Sequence, residues 1–110
     1  MQTRMLPKNL NLDEEVLEER FDGLMENLKR FGVSKRQVRD KACAIAGADP
    51  QEWKEAWSWM LEGDRFLVYQ NAGALASAFL TDEDYILTGT PSVEYTSCSY
   101  RKLVKGAYNR

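Results

Sequence analysis

Two helix starts, at Ser34 and Asp49, restrict what this chain can fold into more than anything else in its sequence. In Val33-Ser34-Lys35-Arg36-Gln37-Val38 the Ser34 hydroxyl is spaced to accept from the amide of Gln37, and the Gln37 side chain to reach back to the amide of Ser34. Val33 and Val38 occupy the two positions of a hydrophobic staple. Gly47 then stands where a helix stop calls for a left-handed residue. Asp49-Pro50-Gln51-Glu52 opens the next helix, with an N-cap aspartate, proline at the first helical position and glutamate at the third. So short a connection keeps the two helices together, and it predicts a helix-turn-helix or a tight helical corner.

Upstream, Asn11 with Glu14 three residues later predicts a first helix start. Leu17, Phe21, Leu24, Leu28 and Phe31 then recur at steps of 4, 3, 4 and 3, the apolar face of an amphipathic helix. Gly23 costs that helix about 1 kcal/mol against alanine, and Gly32 ends it. The second helix, Lys35 to Ala46, is expected to bury Val38, Ala42 and Ile45. The third, Pro50 to Glu62, is expected to bury Trp53, Ala56, Trp57, Met60 and Leu61, with Gly63 closing it.

Beyond Gly63 the reading changes. Arg65 to Gln70 and Tyr85 to Thr88 are rich in aromatic and branched residues and read as strands, and Val93 to Val104 has strand-like density. Ala74 to Leu80 fits either a helical turn or a returning strand. The expected fold is therefore α+β: an irregular arm (1–10), a three-helix core (11–62), a small antiparallel sheet or wing with a C-terminal strand (63–105) and a frayed tail (106–110), all in one domain.

With 110 residues and 44% hydrophobic content the chain can build one core. No apolar run approaches a membrane span, and the first residues lack the apolar stretch of a secretory signal, so a cytoplasmic protein is expected. Cys43 and Cys98 have no CxxC spacing and are expected as reduced thiols. Histidine is absent, which removes the commonest general base and metal ligand. Cys43 has no histidine to activate it, and Glu14, Glu15, Glu18 and Glu19 fall on an exposed first turn rather than in a dry pocket. Asp82-Glu83-Asp84 lacks the glycine and terminal glutamate of a calcium loop and reads as a solvated turn. No enzyme, cofactor or metal site is expected.

Charge is unevenly placed along a chain whose total is −2. Residues 29–41 hold Lys29, Arg30, Lys35, Arg36, Arg39 and Lys41 against the single carboxylate Asp40. The segments on either side are acidic, and the tail returns to basic with Arg101, Lys102, Lys105 and Arg110. A compact basic block steers anionic partners even when the total charge is negative.

Three helices followed by strand, turn and strand resemble the winged-helix superfamily over roughly Asn11 to Thr88. The stretch Phe31-Gly32-Val33-Ser34-Lys35-Arg36-Gln37-Val38-Arg39 is similar to the turn and recognition-helix start of bacterial helix-turn-helix regulators, with Gly32 opening the turn, Ser34 capping and Val38 anchoring. Lys41 departs from that pattern, which has an apolar residue there. The resemblance implies a DNA-binding regulator that dimerises on DNA, and the long first helix (12–31) is the natural seam. If the third helix entered the groove, Gln51, Glu52, Lys54, Glu55, Ser58 and Glu62 would present a net acidic face to phosphate. The second helix presents Lys35, Arg36 and Arg39, with Lys41 and the basic tail helping on the backbone. Against this, the same cations fit a solvated helix face or ion pairs with the acids of the first helix.

A rival reading is an adaptor or inhibitor that meets a basic protein partner through Glu52, Glu55, Glu62, Asp82, Glu83 and Asp84. It resembles small phage or mobile-element inhibitors that imitate phosphates. Trp59 falls off the buried stripe of its helix and fits an interface anchor. The expectation for it is burial instead, beneath C-terminal strands that carry Tyr95 and Tyr100.

Overall fold

A computed structural model describes residues 13–89 and 97–108. These residues form seven helices: α1 (Glu14–Arg30), α2 (Lys35–Ala46), α3 (Pro50–Leu61), α4 (Arg65–Gln70), α5 (Ala72–Phe79), α6 (Glu83–Thr88) and α7 (Ser97–Tyr108). Among the described residues there is no strand. The expected α+β fold with a wing is therefore corrected to an all-helical one. The first three helices stand where pattern and caps set them, except that Asp13 is the N-cap of α1. Asn11, the arm 1–10, residues 90–96 with Tyr95, and residues 109–110 lie outside the described residues.

Local capping and neighbouring helices override β-propensity in the second half of the chain. The Asp64 carboxylate accepts from the Leu67 amide at 3.1 Å, and the Asn71 side-chain amide donates to the Leu67 carbonyl at 2.9 Å, so both ends of α4 are tied. Helical winding then buries Val68 completely and leaves Phe66 and Tyr69 outside. The ambiguous 74–80 stretch is helix α5, which sinks Ala72, Ala74, Leu75, Ala76, Ala78 and Phe79 into the core. Asp82 takes the N-cap position of α6, with Glu83 and Asp84 in the first turn where the helix dipole favours them. The Thr88 hydroxyl bonds back to the Asp84 carbonyl at 2.6 Å. In α7, Val104 is buried between half-buried Tyr100 and Tyr108, one face at steps of four.

One continuous apolar cluster joins all seven helices. Fully buried Phe79 ties α5 to α1 and α3, tilted against Phe21 at 5.4 Å and stacked on Trp57 at 5.8 Å. The Arg20 guanidinium donates to the Ile86 carbonyl at 2.7 Å and clamps α6 to α1. Helix α7 closes the other side: Tyr100 packs on Phe31 at 5.2 Å, and the Tyr108 hydroxyl donates to the Ala78 carbonyl at 2.6 Å.

Two expected core positions are corrected. Ile45 is exposed, because the chain turns back at Gly47 and Ala48 and covers the Cys43 side of the last α2 turn instead. The buried, free Cys43 thiol donates to the Ala48 carbonyl at 3.3 Å. Trp59, expected beneath C-terminal strands, is 54% exposed, since the C-terminal segment is a helix seated on the Phe31 end of α1, α2 and α5. The apolar stripe of α1 (Leu17, Phe21, Leu24, Leu28) faces its own core, and the outer face carries Glu15, Glu18, Glu19, Asp22 and Glu26. That leaves the expected dimer seam without an apolar surface.

Gly63 and Gly47 are both left-handed but sit in different surroundings. A Cβ at Gly63 (φ +104°) would fall 2.6–2.8 Å from Cγ, O and Cα of Glu14, whereas one at Gly47 (φ +67°) meets nothing within 4 Å. Gly47→Ala is expected to cost about 1 kcal/mol from backbone strain alone. Gly63→Ala adds a clash with α1 and is expected to cost at least about twice that, measured by urea unfolding.

Burial pushes the Tyr100 and Tyr108 phenols up to about 12, with the Tyr100 charge adding to the effect at Tyr108. Folding thus favours their neutral forms. That stabilisation is complete below the unfolded value near 10 and is lost as pH rises from there towards 12. Thermal unfolding across this range should show a steep alkaline loss in the native chain, and a shallower one in the Tyr100→Phe, Tyr108→Phe double variant.

Candidate functional site

The corner between α1 and α2 is held by backbone bonds that leave little freedom. Gly32 adopts φ +83°, and the buried Val33 returns its amide to the Leu28 carbonyl at 3.0 Å. The capping box closes as its spacing predicts: the Gln37 amide donates to Ser34 Oγ at 3.2 Å, and the Ser34 amide to Gln37 Oε1 at 2.8 Å. Val38 is fully buried behind them. Lys35 and Arg36 therefore leave a fixed helix end, and both are exposed.

Helix α3 lies beside α2 and is fastened to it by one buried side chain. The indole Nε1 of Trp53 donates to the Arg39 carbonyl at 3.0 Å. Between the two helices runs an open groove. One part, about 470 Å³, is lined by Lys35, Arg36, Arg39, Lys54 and Trp57. The other, about 250 Å³, shares Arg36, Arg39 and Lys54 and adds Asp40, Cys43, Pro50, Gln51 and Trp53. The tryptophans form its floor and are nearly inaccessible, at 4% exposure each. The chemistry open to a partner is thus the four cations on its walls, together with the exposed Asp40 carboxylate and Gln51 amide.

Three of those cations have no counter-ion among the described residues. Among the described residues, no carboxylate lies within 4.0 Å of Lys35, Arg36 or Lys54. Arg39 Nε lies 3.4 Å from Asp40 Oδ1, a pair of sequence neighbours whose carboxylate is 63% exposed. Pairs of this kind are worth little and exchange readily. The acids of α1, expected as possible partners, make no ion pair with these groups.

Lys41 does not belong to the set. Its ammonium donates to the Ala107 carbonyl at 3.0 Å and lies over the Tyr108 ring at 5.6 Å, where it caps the C-terminal end of α7. In the tail, the Arg101 guanidinium lies over the Phe31 ring at 5.9 Å. Lys54 takes the fourth place in the groove. Read as one outward face, α3 is acidic, yet its two exposed edges differ in charge. Lys54 faces α2, while Glu52, Glu55, Trp59 and Glu62 form the far edge at steps of three and four. Asp82, Glu83 and Asp84 belong to α6, which packs on α5, and not to this α3 stripe.

Among the described residues no group of three or more carboxylates and thiols is placed to hold a metal ion, and no helix is long and apolar enough to cross a membrane. The chain matches no known protein family, no curated protein and no solved structure.

Proposed function

We propose that the chain is a small DNA-binding regulatory protein that grips duplex DNA through the groove between α2 and α3. The observation that carries this reading is the convergence of Lys35, Arg36, Arg39 and Lys54 on one open surface, three of them with no carboxylate of the described residues within 4.0 Å. Leaving like charges together costs the folded chain some stability unless an anion joins them, and DNA phosphate supplies anions at a regular spacing. Arginine adds planar, two-pronged hydrogen bonding to phosphate or to guanine edges. The fixed end of α2 presents Arg36 for such contacts at the helix start, where recognition helices meet base edges. The proposal places the protein in the cytoplasm with its DNA, where Cys43 stays reduced.

Binding of a short random duplex, measured by fluorescence anisotropy, tests this. Four phosphate contacts predict a salt slope of about −3.6, so affinity should fall roughly a hundredfold between about 50 and 200 mM salt. The Arg36→Glu, Lys54→Glu double variant should lose binding while keeping its helical circular dichroism. Absence of binding by the native chain at the lower salt rejects the proposal.

A further inference from the structure

The far edge of α3 carries a second surface, independent of the DNA-binding reading. Glu52, Glu55, Trp59 and Glu62 are all exposed and follow one another at steps of three, four and three, a straight stripe about 15 Å long. Trp59 stands within it at 54% exposure. A tryptophan this open loses hydrophobic stabilisation that burial would give it. Elsewhere the chain covers ring faces with its own cations: Arg101 over Phe31, Arg65 over Phe66 and Lys41 over Tyr108. Trp59, the ring type that binds cations best, has no cation of the described residues over it. It has carboxylates four and seven residues before it and three after.

We infer that this stripe docks an arginine-bearing helix of a partner protein, with one guanidinium over the Trp59 ring and others paired with Glu52, Glu55 and Glu62. Charge complementarity selects the occupant. A purely apolar partner would strip water from three carboxylates without pairing them, and an acidic one would be repelled. Arginine fits better than lysine, because its planar group both stacks on the indole and makes two-pronged bonds to a carboxylate. A facing helix has the same three-and-four periodicity as the stripe, so cations spaced at i, i+4 and i+7 match Glu55, Trp59 and Glu62.

The probe is a synthetic helical peptide with arginines at i, i+4 and i+7 in an alanine–glutamine background, titrated at low salt and followed by calorimetry. The native chain should bind it. Trp59→Ala should weaken binding about tenfold, and the Glu55→Gln, Glu62→Gln double variant by a similar factor. The same peptide with glutamate in place of arginine should not bind. Because every substituted side chain is exposed, folding is expected to survive, and DNA affinity should be unchanged in Trp59→Ala, which separates this surface from the groove. Failure of the arginine peptide to bind, or binding indifferent to both variants, overturns the inference. So does sedimentation showing that the protein alone forms dimers that Trp59→Ala dissolves, since a second copy would then own the face.

Discussion

The close seating of α2 on α5 is the contact on which the rest of the molecule depends, and it is the most extensive helix pairing in the fold. Both helices bury small side chains, Ala42 on α2 and Ala72, Ala74, Ala76 and Ala78 around α5. With so little bulk between them, two helices can pack closely. Val38, Leu75 and Phe79 supply the volume that fills the remaining space. Helix α2 is then enclosed by α5, by α3 through the Trp53 bond to Arg39, and by α7 through the Lys41 bond to Ala107. Only its N-terminal half reaches solvent with charge on it, and that confinement turns a basic block in the sequence into a defined cationic wall.

What could be read from the sequence followed from signals that are local and directional. The capping box at Ser34, the Asp49-Pro50 start and the Gly32 and Gly47 stops each depend on backbone groups a few residues away, so they act the same way in any fold. The stripe of α1 is readable because five apolar residues repeat over nearly four turns. Arg65 to Gln70 and Tyr85 to Thr88 look like strands because they are too short for periodicity to separate helix from strand. Residue type then decided the reading, and residue type is a weak guide when tertiary packing competes with it. Better signals were present. Asp64 three residues before Leu67, Asp82 ahead of two acids, and Tyr100, Val104 and Tyr108 at steps of four all mark helices.

The groove was half legible for a similar reason. Lys35, Arg36 and Arg39 lie on one turn of a helix whose ends were known, so their common face could be drawn from spacing. The bond that Lys41 makes is with the carbonyl of Ala107, far away in the chain and beyond the reach of local spacing. Lys54 is submerged in a net acidic sum as long as α3 is given a single outer face, yet it lines the groove beside α2. A helix lodged against one neighbour along its side has two exposed edges, and on α3 these edges carry opposite charge. Trp59 belongs to the acidic edge, and its exposure followed once the C-terminal segment wound into a helix rather than returning as strands.

The proposed DNA contact is confined to the cationic groove between α2 and α3. Amide and side-chain chemical shifts recorded while a short duplex is titrated into the labelled protein test it most directly. Perturbations should concentrate on residues 34–40 and 50–54, with Lys35, Arg36, Arg39 and Lys54 moving most, and should leave Glu55, Trp59 and Glu62 still. Shifts centred on α7 or on the outer face of α1, or spread evenly over every exposed lysine and arginine, would contradict it.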